Sequence, residues 1–147
     1  MRNRSGSGPS SGAALLLKVA LFRYELRRFL RFSERAARTL GVTPQQHQLL
    51  LGVAGFTGRG TATISELAEF LQERHNAVVG LVERAAKKGL VWKKRDAQDR
   101  RAIQVNLTAS GAAVLKKLTR LHLGELRRMR TNLTEGFVQP AQAARQT

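Results

Sequence analysis

At Leu90 the apolar spacing of this chain changes from helical to a period of two, and it changes back after Leu107. Leu90-Val91-Trp92-Lys93-Lys94-Arg95 reads as one strand and Asp96-Ala97-Gln98-Asp99 as a polar turn. Ile103, Val105 and Leu107 then alternate with Ala102, Gln104 and Asn106 in a second strand. Most of the remainder has helical spacing, so one hairpin has to be housed by helices. Aromatic residues make up 5% of the chain, which leaves the core to Leu, Val and Ala and disfavours an all-β sandwich. The expected class is mainly α with a small β-hairpin (α+β), and 147 residues suit one domain with an arm or tail.

The helical pieces are delimited by their caps. Residues 1–12 are rich in Ser and Gly and read as a disordered arm. Residues 13–42 read as an N-terminal helix closed by Gly41. Leu15, Val19, Phe22, Leu26 and Phe29 repeat at intervals of four and three and continue through Ser33, Ala36 and Leu40, a heptad seam. Leu16, Leu17, Leu21 and Leu30 widen it, so two readings stand: packing on its own domain, or also on another subunit. Thr43-Pro44-Gln45-Gln46 carries a capping box with Pro at the first helical position. Leu49, Leu50 and Val53 are that helix's inner residues and Gly55 its expected stop. Thr57-Gly58-Arg59-Gly60 reads as a turn without the Gly/Lys spacing of a phosphate loop, and Ala62-Thr63-Ile64 as a short extended piece.

Ser65 is expected to cap the next helix, with Glu66 and Glu69 near its positive end. After a break at 72–74, a further helix runs from His75 to Lys88 with Val78, Leu81, Val82 and Ala85 inward, and Gly89 stops it. Two short helices joined by a tight turn make a helix-turn-helix candidate. Thr108 caps a last long helix over 109–131, and 132–147 read as a polar tail.

The hairpin follows the second helix of that pair directly, a winged helix-turn-helix order over 43–108. A helix fits the major groove of duplex DNA, and a basic hairpin can reach the neighbouring minor groove. The charge agrees. The formal net charge is +16, and 19 of the 26 basic residues are Arg, the side chain that forks onto phosphate and guanine. Residues 87–101 hold seven basic and two acidic side chains, a net of +5, whereas 61–86 net −2 and the first 38 residues net +7. Such a chain is expected to seek a polyanion. The lack of cysteine excludes disulfides, thiolate metal sites and a Cys redox switch. No apolar run reaches the ~18 residues a membrane span needs, and no signal peptide is recognisable, so a cytoplasmic protein without membrane partners is expected.

Over 65–111 the chain resembles the MarR family of bacterial winged-helix regulators. The residues that carry the resemblance are Leu67-Ala68, Val78, Leu81-Val82-Glu83-Arg84, Lys88-Gly89-Leu90-Val91 and, above all, Asp99-Arg100-Arg101-Ala102-Ile103-Gln104-Val105-Asn106-Leu107-Thr108, with Gly111 following. A looser resemblance extends from about 13 to 130. It implies that Asp99 pairs with Arg101 and stiffens the wing, leaving Arg100 at the tip for the minor groove, where a narrow A·T-rich groove attracts guanidinium. Lys93, Lys94 and Arg95 would contact phosphate or hold the base of the wing. On the recognition helix, Arg74, His75, Asn76, Val79 and Gly80 lie opposite the inner stripe, with Asn76 suited to adenine and Val79 to a thymine methyl. Arg74 stands where the family usually has a Ser or Thr cap. Ser65 and the first amides of its helix could hold a phosphate.

The resemblance also implies a homodimer through long N- and C-terminal dimerisation helices, and a small, commonly phenolic or otherwise aromatic effector. The family's apolar final helix is replaced here by Pro140 and a polar Gln/Ala tail, which implies a shortened dimer region. No catalytic constellation and no metal-ligand spacing is visible: His47, His75 and His122 are far apart, with His47 expected on a helix surface or pocket edge and His122 in the packing of the last helix. The expectation is a non-enzymatic, sequence-specific regulator of transcription, a repressor, bound to a double-stranded DNA operator without a cofactor. The rival reading is a non-specific, nucleoid-type basic protein.

Overall fold

The structure is a computed structural model that describes residues 10–138. Its elements are α1 (Ser11–Thr39), α2 (Pro44–Leu51) prolonged by a π-helical turn (Gly52–Phe56), β1 (Thr61–Thr63), α3 (Ile64–Leu71), α4 (His75–Lys87), β2 (Val91–Arg95), β3 (Ile103–Leu107) and α5 (Ala109–Val138). The class is the expected one, mainly helical with a small antiparallel sheet. The chain divides into two compact units, 33–121 and a second formed by 10–32 with 122–138.

In the unit 33–121, Leu49, Leu50, Val53, Leu67, Val78, Val82, Val105 and Leu118 are the largest fully buried side chains. Burial of this kind contributes about 1.5–3 kcal/mol per residue of transfer free energy. The α2 start follows its sequence: Thr43 Oγ1 accepts from the Gln46 N–H at 3.0 Å, and Gln46 Oε1 accepts from the Thr43 N–H at 3.0 Å. Gly55 does not stop that helix, which passes through it as a π-turn to Phe56. Gly41 and Gly89 end α1 and α4 with φ of 77° and 76°, a left-handed geometry that favours glycine. Gln72 closes α3 in the same region, at φ 54°.

Further outcomes go beyond or differ from the sequence reading. The short extended piece expected at 62–64 is the strand Thr61–Thr63, and its pairing with β3, which the sequence reading did not reach, turns the hairpin into a three-stranded sheet of order β1-β3-β2, with Thr61 opposite Asn106 and Thr63 opposite Gln104. Ser65 does not cap α3. Thr63 does, its hydroxyl accepting from the Glu66 N–H at 3.2 Å while Glu66 Oε1 accepts from the Thr63 N–H at 3.0 Å. The spacing from Thr63 to Glu66 fits a capping box, whereas the residue three beyond Ser65 is Ala68, which has no acceptor. His47 is 2% exposed and lies inside the core, not on a helix surface.

In the unit of 10–32 and 122–138, α1 and α5 meet through a charged network. Glu25, 2% exposed, accepts from Arg128 Nη1 at 3.1 Å and from Asn132 Nδ2 at 3.1 Å. Arg128 Nε also donates to both oxygens of Glu125, at 2.9 and 3.1 Å. His122 lies edge-on to the rings of Phe29 and Phe32, at centroid distances of 5.7 and 5.4 Å. Helix α1 begins at Ser11, inside the stretch expected as an arm, and α5 runs past 131 to Val138. Residues 1–9 of the expected arm and 139–147 of the expected tail lie outside the described residues.

Candidate nucleic-acid interface

The recognition helix is positioned by its apolar stripe. Val78, Leu81, Val82 and Ala85 are buried, which turns Arg74, His75 and Asn76 outward and leaves Val79 and Gly80 half-buried. Arg74 occupies the N-cap without a side-chain cap bond, so its guanidinium is not engaged by the helix it precedes. A Cβ at Gly80 would meet only Arg84 Nη1, at 3.2 Å, the far end of a flexible side chain. Glycine here therefore answers no close backbone approach within the chain. Ser65 is exposed in the first turn of α3, two residues beyond the cap.

The wing is built from β2, β3 and the loop between them. Val91 and Val105 face the core, while Trp92, Lys93, Lys94 and Arg95 are exposed. The register sets Lys94 opposite Gln104 and Arg95 opposite Ile103. Lys94 Nζ stands 5.9 Å from the centre of the Trp92 ring, a cation–π placement. Lys93 Nζ lies 3.7 Å from Glu83 Oε1, so an acid of α4 partly neutralises it at the wing's base. Arg95 points along the hairpin, and its Nη1 donates to the Arg100 carbonyl at 3.3 Å.

The loop itself is tied by two aspartates. Asp99 does not form an ion pair with the Arg101 side chain. Its Oδ1 accepts from the Arg101 main-chain N–H at 3.0 Å, and the Ala102 N–H returns to the Asp99 carbonyl at 3.0 Å. The reason is local: an Asp two residues before an amide closes an Asx-turn at little entropic cost. Asp96, which the sequence reading passed over, does more. Its Oδ1 accepts from the Gln98 N–H at 2.8 Å and its Oδ2 from Gln104 Nε2 at 2.9 Å. These bonds, the Gln98 amide first and the Gln104 amide next, hold the Asp96 carboxyl below the usual range. The Asp-x-Gln spacing was the available signal. Arg100 and Arg101 are both exposed in this loop, and neither guanidinium makes an ion pair among the described residues.

A brace lies at the other end of the sheet. Arg59 Nη2 is 2.7 Å from Glu66 Oε1, joining the loop before β1 to the cap of α3. Among the described residues no group of three or more His, Cys, Asp or Glu could hold a metal ion. His75 starts α4, while His47 and His122 are buried. No helix of the described residues is long and apolar enough to cross a membrane.

The expected dimer seam divides into two parts. Leu15, Val19 and Phe22 are 62%, 53% and 43% exposed, with Leu16 and Leu17 beside them. Leu26 and Phe29 are half-buried, and Phe29 is already engaged by His122 of its own chain.

Comparison with known proteins gives a segment that overlaps the one over which the sequence resembles a known family. A family model described as the MarR family matches residues 40–102. The HTH-type transcriptional repressor MdtR of Bacillus subtilis (strain 168) is 34% identical over 71 residues, 48% of this chain. That match spans 44% of the relative, less than half its length. Among solved structures, the MarR family transcriptional regulator AbsC from Streptomyces coelicolor is 18% identical with a TM-score of 0.68, over 90% of this chain and 93% of that one. A mutant MarR from E. coli complexed with operator DNA is 20% identical with a TM-score of 0.62, over 92% of this chain and 93% of that one. At these identities the two structures speak for the fold.

Proposed function

We propose that this chain, whose residues 40–102 match the MarR family model, is a sequence-specific double-stranded DNA-binding regulator of transcription of that family. It acts as a homodimer and as a repressor, as the related MdtR is named. The observation that carries this reading is the pairing of an outward Arg74-His75-Asn76 edge on α4 with a wing whose tip, stapled by Asp96 and Asp99, presents Arg100. The helix supplies base contacts and the wing a minor-groove contact. Lys94 supplies phosphate affinity. Ser65 and the α3 amides offer a further phosphate contact. Of the neighbours, the E. coli MarR mutant is described in complex with operator DNA.

A dimer has to set two recognition helices ~34–36 Å apart to reach successive major grooves. Exposed Leu15, Val19 and Phe22 offer the apolar surface for it. A small aromatic effector would act by changing that separation, and no cofactor or catalytic step enters. The decisive experiment is nuclease protection of the promoter beside the gene, with excess random duplex as competitor. A regulator protects a pseudo-palindromic site with a specificity ratio of at least ~10³. Protection that vanishes into the competitor would assign the chain to the non-specific, nucleoid-type class. Sedimentation of the free protein checks the dimer, and Phe22→Glu should shift it to the monomer.

A further inference from the structure

The wing does not account for the charge on α1. In the described parts of 10–32 and 122–138 there are eight basic side chains and three acidic ones. Two of those acids, Glu25 and Glu125, lie against Arg128 inside the unit. Arg23, Arg27, Arg28 and Arg31 are exposed, and none of them makes an ion pair among the described residues. At 3.6 residues per turn these four fall on an arc of about 140°, and Phe22, Leu26 and Phe29 fall on an arc of about 60° on the opposite side. Within 23–31 the one acid, Glu25, is turned inward.

We propose that this arginine ridge of α1 is a second duplex-binding surface, separate from the wing and the recognition helix, which takes nucleic-acid phosphates without reading sequence. Guanidinium suits it, being a planar donor fork matched to phosphate oxygens. Single-stranded nucleic acid is disfavoured because it needs open aromatic faces for base stacking. The aromatic side chain on the arc is Tyr24, and the Arg28 guanidinium already covers its ring at 5.8 Å. An anionic membrane surface is disfavoured because it calls for a broad apolar face beside the cations. Within 23–31 Leu30 is the one exposed aliphatic side chain beside the arc, while Leu26 and Phe29 lie across the helix from it. The ridge extends the reading of the wing as a duplex binder but stands on different residues.

The test titrates a labelled random-sequence duplex against the full chain, Arg23→Gln/Arg27→Gln/Arg31→Gln and Lys94→Gln/Arg100→Gln, at several salt concentrations. Each phosphate neutralised contributes about 0.9 to the slope of log affinity against log salt. Losing three contacts should lower that slope by about 2.7. The fall in affinity between 50 and 200 mM salt should then shrink about forty-fold relative to the unsubstituted chain. The wing variant should retain residual duplex binding, and a variant that joins the ridge and wing substitutions should lose it. If the ridge variant keeps the full slope, the ridge is not a duplex surface. The same holds if the ridge variant loses binding to anionic phospholipid vesicles while its duplex slope is unchanged. If instead the wing variant binds and protects DNA as the unsubstituted chain does, the wing reading fails and the ridge stands. A thermal melt checks folding. Should the triple variant be unfolded, Arg27→Gln alone, read for a slope change of about 0.9, decides.

Discussion

One guanidinium nitrogen of Arg59, Nη2, donates to both carboxylate oxygens of Glu66, at 2.7 and 2.8 Å. The same carboxylate accepts from the Thr63 N–H at the start of α3. The Arg59 bond first, and the Thr63 amide next, hold the Glu66 carboxyl below its usual value, against a smaller opposing effect of burial. A folded-state value below the unfolded one means that this stabilisation is present above the ordinary glutamate range. It is lost as pH falls through the lowered value. Thermal melts at neutral and acid pH should therefore lie closer together for Glu66→Gln than for the unsubstituted chain. Thr63→Ala should cost about 1 kcal/mol of stability, and Ser65→Ala much less. Equal losses from the two would return the cap to Ser65.

Gly111 passes against the Leu90 carbonyl so closely that a Cβ would overlap its oxygen. The approach is fixed on both sides: the Thr108 N–H donates to that oxygen at 3.1 Å, and Thr108 Oγ1 accepts from the Gly111 N–H at 2.9 Å. Main chain cannot swing aside as a side chain can. Gly111→Ala should therefore destabilise by about 1–3 kcal/mol. Gly124→Ala is the control, since a Cβ there meets nothing within 4 Å. That change should stabilise by up to about 1 kcal/mol through helix propensity. Denaturant midpoints moving in the same direction would refute the steric account.

The wing separates affinity from stability. Arg100→Ala should weaken operator binding by about 1–3 kcal/mol, and Asn76→Ala should relax sequence preference. Lys93→Ala should lower duplex affinity less than Lys94→Ala, because Glu83 already neutralises Lys93 in part. Asp96→Ala and Asp99→Ala remove the bonds to the Gln98, Gln104 and Arg101 nitrogens. Both should weaken binding through a looser tip while leaving the melting temperature in place. Titration of the operator by anisotropy, beside a melt of each variant, checks this. A melt that falls as far as the affinity would make the aspartates general stabilisers rather than wing staples.

What could be read from the sequence follows the range of the interactions involved. The α2 cap was legible because Thr43, Pro44 and Gln46 act within one turn. The hairpin was legible because Val105 and its neighbours alternate over a full strand. The extended piece before α3 was legible but its place in the sheet was not, since its pairing partners lie at Gln104, Val105 and Asn106, far along the chain. The expected cap at Ser65 misses by two residues because the capping box joins Thr63 to Glu66, three residues on. The resemblance implied a side-chain pair of Asp99 with Arg101, and the turn instead uses the nearer main-chain amide of Arg101. Glu25 gave no signal at all: on a helix full of arginines it reads as a surface acid, and its partners are 103 and 107 residues away.

That buried carboxylate makes the most exposed claim about the helical unit. Removing one member of a buried ion pair leaves the other charge without compensation, a loss of about 3 kcal/mol or more. Replacing both by apolar residues of similar size is often close to neutral. Arg128 carries two acids, Glu25 and Glu125, and Glu25 has a second donor in Asn132. Arg128→Met should therefore destabilise by about 3 kcal/mol at neutral pH. Glu25→Met/Arg128→Met should recover most of the loss. Denaturant unfolding of the three proteins at neutral pH measures this. A double variant no more stable than Arg128→Met would mean that the network sets the geometry of α1 on α5 and does not simply balance charge.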